Sequence, residues 1–147
     1  MDYIREAVEY LRNYDNCVIA LSKLKDEIYS LKVDLKSTKE ISYSDMPHGS
    51  GAGEPDDVVV NKMFRLQQAE SEYKETYKMV KRMDKVLENF KNTNELYYKI
   101  LKGYFLDHYT EEQLQKDFNY TDRHLRRLKQ NGLKVFAIQL FGIKAMK

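Results

Sequence analysis

From Ile4 to Leu35 the apolar residues of this chain return at steps of three and four: Ile4, Ala7, Leu11, Tyr14, Val18, Leu21, Leu24, Ile28, Leu31 and Leu35. That spacing lines them along one seam of an α-helix, because 3.6 residues complete a turn. Two successive three-steps at Val18, Leu21 and Leu24 shift the phase, a stammer in an otherwise heptad-like stripe. Neither glycine nor proline interrupts residues 1–46. The pattern therefore predicts one helix of about 33 residues, roughly 50 Å long at 1.5 Å per residue. A second stripe follows, in which Val59, Leu66, Tyr73, Val80 and Leu87 recur every seven residues. Met63, Ala69, Thr76, Met83 and Phe90 fill the column beside it. Pro55, with its fixed φ, and the acids Asp56 and Asp57 suit the start of that helix. Each helix has one narrow apolar seam and needs a partner. The nearest partner is the other helix, folded back as an antiparallel hairpin with Leu24 and Leu31 in its core.

Between the stripes lies 41-ISYSDMPHGSGAGEP-55, which holds both prolines and three of the six glycines. A loop over about 37–55 is longer than the ~8 residues a helix-to-helix turn needs. It is read as a connector or as a loop that docks on a partner or on the C-terminal module. Ser44, Asp45 and His48 are residue types of a hydrolytic triad. They lie within five positions, on a segment with no rigid element to orient a base or build an oxyanion hole. No paired carboxylate, metal cluster or phosphate loop occurs at a workable spacing elsewhere. The sequence thus points away from an enzyme and gives no catalytic, cofactor-binding or metal-ligating residue.

A hydrophobic fraction of 42% can fill a core, while 33% charged residues and a mean hydropathy of −0.70 imply long helices with much solvated surface. The single cysteine, Cys17, excludes an internal disulfide and a multi-cysteine metal site. No apolar run approaches the ~18 residues of a membrane span, and the polar N-terminus is unlike a signal peptide. A cytoplasmic protein is expected. Charge is unevenly placed. Residues 119–147 carry seven Lys/Arg against one acid, Asp122, whereas residues 1–118 carry eighteen against twenty-two. One basic end on an acidic body suits a polyanionic partner at that end.

That end has a pattern of its own. Leu96, Ile100, Leu101 and Phe105 mark a short helix. Thr110 sits three residues before Gln113, a capping-box spacing, and Leu114 and Phe118 give the next helix a buried face of about eight residues. Asn119, which tolerates left-handed geometry, stops it. Thr121 can cap a third helix with Leu125 and Leu128 inward and Val135 or Phe136 continuing the core. Two short helices joined by about three residues, the second basic, make a helix-turn-helix. On that helix Arg123, Arg126, Arg127 and Gln130 fall at i, i+3, i+4 and i+7, opposite Leu125 and Leu128. The planar fork of arginine pairs with guanine O6 and N7 together and also grips phosphate. Lys129 and Lys134, further along, suit phosphates. Ile138, Leu140, Phe141 and Ile143 are too apolar for a solvated tail and are expected to pack.

Residues 109-YTEEQLQKDFNYTDRHLRRL-128 resemble the region-four helix-turn-helix of bacterial primary sigma factors. The shared positions are Tyr109, Thr110, Glu112, Leu114, Lys116, Phe118, Thr121, Leu125, Arg126 and Leu128. The resemblance covers about 45 residues and implies a module that reads duplex DNA. The base-reading positions of the sigma family fall on Asp122, Arg123, Arg126 and Arg127, of which only Arg126 keeps the residue type. The whole chain also resembles small phage proteins of the ArpU and RinA late-regulator type. Those proteins place a helical N-terminal region, a loop like 44-SDMPHGSG-51 and a second long helix before a sigma-like end. Against the family pattern, Gln115 replaces a usual small residue, Asn119 a usual turn glycine and His108 a common glycine before the cap.

The expected architecture is all-α, with a long helical hairpin over 1–92 and a sigma-like helix-turn-helix domain over 93–147. The function this implies is a phage-encoded, sequence-specific transcription regulator of late genes, acting on double-stranded DNA in the bacterial cytoplasm. Its DNA-binding residues are taken as Thr121, Asp122, Arg123, Arg126, Arg127, Lys129, Gln130 and Lys134. One short recognition helix buries a modest area, so a homodimer or a contact with host RNA polymerase is expected. The alternatives are a DNA-packaging subunit of small-terminase type and a helical interaction protein that does not bind DNA.

Overall fold

The computed structural model describes residues 2–43 and 55–146, and every regular element among them is helical. Helix α1 spans Tyr3–Tyr43 and α2 spans Pro55–Thr93. Helix α1 exceeds expectation, running 41 residues rather than about 33, so the connecting segment is shorter than 37–55, while α2 starts at Pro55 as expected. The apolar seam ends at Leu35, but no glycine or proline follows it until Pro47. The 44–51 motif, with Ser44, Asp45 and His48, lies outside the described residues. The start of α1 carries a cap the stripe did not announce: the Asp2 carboxylate accepts from the Ile4 and Arg5 amides at 3.1 and 3.2 Å.

After Thr93 the single residue Asn94 redirects the chain into α3, Glu95–Leu101. This helix widens into one π-turn over Lys102–Leu106. Helix α4 spans Glu111–Phe118, and α5 runs 20 residues over Asp122–Phe141 before a short 3₁₀ turn over Gly142–Met146. The elements thus change beside the expected 92/93 boundary. Compactness divides the chain elsewhere, into Met1–Cys17 with Met79–Lys147, and Val18–Lys78.

In the second of these units α1 and α2 pair antiparallel. Lys32 reaches Glu70 at 3.8 Å, and the grooves between the helices match Ala20–Glu27 with Glu72–Thr76 and Leu35 with Val60–Glu70. Leu31, Leu35 and Ala69 are buried, while Leu21, Leu24, Ile28, Leu66 and Tyr73 are half-buried. Val18, at the stammer, is exposed, as the phase shift turns it off the seam. Met63, placed in the column by its spacing, is also exposed, beside Val60 and Phe64.

In the first unit the base of the hairpin and the C-terminal helices share one core. Ala7 and Leu11 of α1 and Met83 and Phe90 of α2 pack with Leu101, Phe105, Leu133, Phe136, Ala137 and Leu140. Phe90 and Phe136 meet edge to face, with centroids 5.6 Å apart. The Arg82 guanidinium donates to the Leu140 carbonyl, occupying an acceptor that the end of α5 would leave open. Gly132 brings α5 onto α3 so closely that a Cβ there would lie 3.2 Å from the Tyr97 Cβ. The expected packing of the tail holds for Leu140, which is buried, and for Phe141, whose ring lies 5.3 Å from Tyr3 and 5.8 Å from Tyr10. It fails for Ile138 and Ile143, both exposed. Leu96, one of the apolar residues that mark α3 in the sequence, is exposed as well, while Ile100 and Leu101 form its buried face.

Candidate nucleic-acid interface

A second, smaller core of Ile100, Leu114 and Leu125 holds α3, α4 and α5 together, flanked by Tyr104, Phe118, Tyr120 and Leu128. Its approach is tightest at Gly103, where a Cβ would sit 2.5 Å from a Leu114 methyl. The caps expected from the sequence are both formed. The Thr110 hydroxyl accepts from the Gln113 amide at 3.2 Å, and the Gln113 side chain accepts from the Thr110 amide at 2.9 Å. Thr121 accepts from the His124 amide at 3.2 Å. Asn119 is left-handed with φ 58°, and so is His108 with φ 55°. Both positions, where glycine was expected from the resemblance, have the left-handed conformation that glycine adopts most readily. In the turn, Tyr120 stacks on Phe118 and takes the His124 ring edge-on.

The first turns of α5 give the eight candidate residues different environments. Arg123, Arg127, Gln130 and Lys134 are exposed and lie at i, i+4, i+7 and i+11, a straight seam opposite Leu125 and Leu128. Arg126 lies about 70° round the helix from the middle of that seam. Its guanidinium is 3.2 Å from the Asp122 carboxylate and 3.9 Å from that of Glu111 on α4. Asp122 is half-buried, with one carboxylate oxygen enclosed and without a hydrogen-bond partner. Thr121 is occupied as the cap.

Lys129 does not share the basic seam. It lies about 130° from it, with its ammonium 4.4 Å from the Tyr104 ring centroid and 5.4 Å from that of Phe105. A phosphate role for Lys129 alongside Lys134 does not fit this placement, since its stem covers aromatic core and its charge sits on ring faces. Beneath it, burial raises the Tyr104 phenol above its ordinary pKa, helped by the charges of Glu111 and Asp122 and opposed by Arg126. The Asp122–Arg126 spacing was readable as an i, i+4 pair. Glu111 and Tyr104 join the site only through the packing of α3 and α4 on α5, and no sequence spacing points to them.

Among the described residues no cluster of three His, Cys, Asp or Glu side chains could hold a metal ion, and no helix is long and apolar enough to cross a membrane. No family model, curated protein or solved structure matches the chain.

Proposed function

We propose that this chain is a sequence-specific regulator of transcription that binds double-stranded DNA through α5, as in the phage late-regulator proteins it resembles. One observation carries the reading: a capped helix, a three-residue turn and a second capped helix present Arg123, Arg127, Gln130 and Lys134 on one exposed face while the opposite face fills a core. An α-helix so presented fits a major groove, with base edges and phosphates on the same side. Arg126 is assigned to base edges, and Lys134 to phosphate. The small-terminase reading shares the helix-turn-helix, but it requires a ring of many subunits, whereas the regulator requires a dimer or a polymerase contact.

The test is affinity at several salt concentrations for a duplex enriched from a random library and for a scrambled control. Arg126→Ala should cost about 1–3 kcal/mol on the enriched duplex and relax discrimination. Lys134→Ala should weaken both duplexes alike and lower the salt slope by roughly one. Absence of salt-sensitive binding to any duplex would leave the interaction-protein reading in place of this one.

A further inference from the structure

Arg126 is the one candidate base-reading residue that two carboxylates engage, Asp122 at 3.2 Å and Glu111 at 3.9 Å. For an exposed pair this contact adds little to stability. Its effect on recognition is of another kind. A free arginine carries considerable rotamer entropy, some of which is lost whenever it is immobilised on a ligand. Here the restraint is in place beforehand. One Asp122 oxygen is enclosed by protein, so the carboxylate lies partly within the fold rather than wholly in solvent. Glu111 lies in the first turn of α4, whose start the Thr110–Gln113 capping box fixes, and the Lys129 ammonium lies over the Tyr104 ring.

We infer that Asp122, with Glu111, is a specificity-determining positioning pair that holds Arg126 for a base edge and keeps it from non-specific phosphate contact. This rests on the reading of α5 as the DNA-contacting helix. Two physical effects act in the same direction. The carboxylates repel the phosphate backbone, so an arginine tied to them gains less by drifting onto it. Both carboxylates lie on the side of the same Nη, at 3.2 and 3.9 Å, which leaves the second Nη and Nε on the open side of the guanidinium for base-edge acceptors. Discrimination is thus raised chiefly by lowering affinity for the wrong DNA.

The test is a double-mutant cycle on the full chain, using the enriched duplex and a scrambled duplex of equal length and composition. Asp122→Asn should tighten binding to the scrambled duplex and narrow the ratio of the two affinities about tenfold. In an Arg126→Ala background the same substitution should shift both duplexes by one common factor, as loss of a bare charge would. Asp122→Glu, which can still reach Arg126 at i+4, should preserve the ratio. Circular dichroism melts check folding, and Asp122→Ser, with a residue suited to a helix start, replaces Asp122→Asn if the latter does not fold. If the wild-type chain discriminates but Asp122→Asn moves both duplexes equally, the positioning role is overturned while DNA binding stands. If the wild-type chain prefers no duplex, both readings fall together.

Discussion

At the scale of single residues, His108 and Asn119 hold left-handed backbone that glycine adopts without strain. His108 has φ 55° in an exposed position, a conformation that costs a non-glycine residue roughly 1–2 kcal/mol. Glycine avoids that cost but loses about 0.5–1 kcal/mol through the freedom of its unfolded chain. His108→Gly should therefore stabilise the protein by about 0.5 kcal/mol in thermal melts. The exposed contact of His108 with Asp15 at 3.7 Å subtracts little. Asn119→Gly should be nearly neutral, because asparagine already tolerates φ 58°. Tyr14 gives a pH-dependent counterpart. Its phenol donates to Asp84, and burial, then that hydrogen bond and the Asp84 charge, push its pKa from 10.0 up to about 12. A pKa raised on folding contributes stability that is complete below about pH 10 and lost as pH rises toward 12. Chemical denaturation of wild type and Tyr14→Phe should show a gap at pH 8 that closes through this window. A gap that stayed constant to pH 12 would mean that Tyr14 ionises as freely as in the unfolded chain.

At the scale of elements, the stability of the long helices rests on their seam rather than on propensity. Leu31 is buried between α1 and α2, so Leu31→Asp places an unpaired charge in that seam. The variant should lose several kcal/mol, seen as a marked fall in melting temperature. An unchanged melting temperature would contradict its burial. The shorter helices depend on their ends. Helix α4 has 8 residues, and its capping box satisfies amide groups that no helical carbonyl can reach. Thr110→Ala should cost about 1 kcal/mol. The same substitution at Thr121 should cost a similar amount, and it should loosen the first turn of α5, which carries Asp122 and Arg126.

At the scale of the molecule, the C-terminal helices are not an appendage to be cut away at residue 92. The base of the hairpin supplies Ala7, Leu11, Met83 and Phe90 to the core that α5 completes with Phe136, Ala137 and Leu140. Leu140→Ala should consequently destabilise the unit by about 2–5 kcal/mol, the cost of emptying a buried leucine site. Limited proteolysis of the native protein should trim from the C-terminus to about Phe141, because Ile143 and Met146 are exposed while Leu140 and Phe141 are packed. Rapid trimming back to Phe136 would show that this end of α5 is not held. The exposed Val58, Val60, Met63 and Phe64 near the start of α2 leave apolar surface that α1 does not cover. The mass in solution, by sedimentation, separates a monomer or dimer from the ring that the packaging reading needs.

Local chemistry was enough to determine the all-α class, the two long helices, both threonine caps and the left-handed stop at Asn119. Each depends on residues within one or two turns of one another: a period of 3.6, a hydroxyl three residues from an amide, a side chain that tolerates φ above zero. The end of α1 was less legible, because a helix can continue past its apolar seam where no glycine or proline breaks it. Which apolar residues reached a core was a tertiary decision. Val18, Met63, Leu96 and Ile143 fit the patterns that placed them inside, yet no neighbouring element covers them. The sharpest difference lies in the basic helix. Its sequence placed Arg123, Arg126 and Arg127 together on one face and set Lys129 with Lys134 as phosphate contacts. Packing of α3 and α4 then set Lys129 on Tyr104, set Arg126 against Asp122 and Glu111, and left Arg123, Arg127 and Lys134 facing out. A helical period fixes the angle of a side chain about its own axis, but its electrostatic partners come from whatever the rest of the chain brings to that angle.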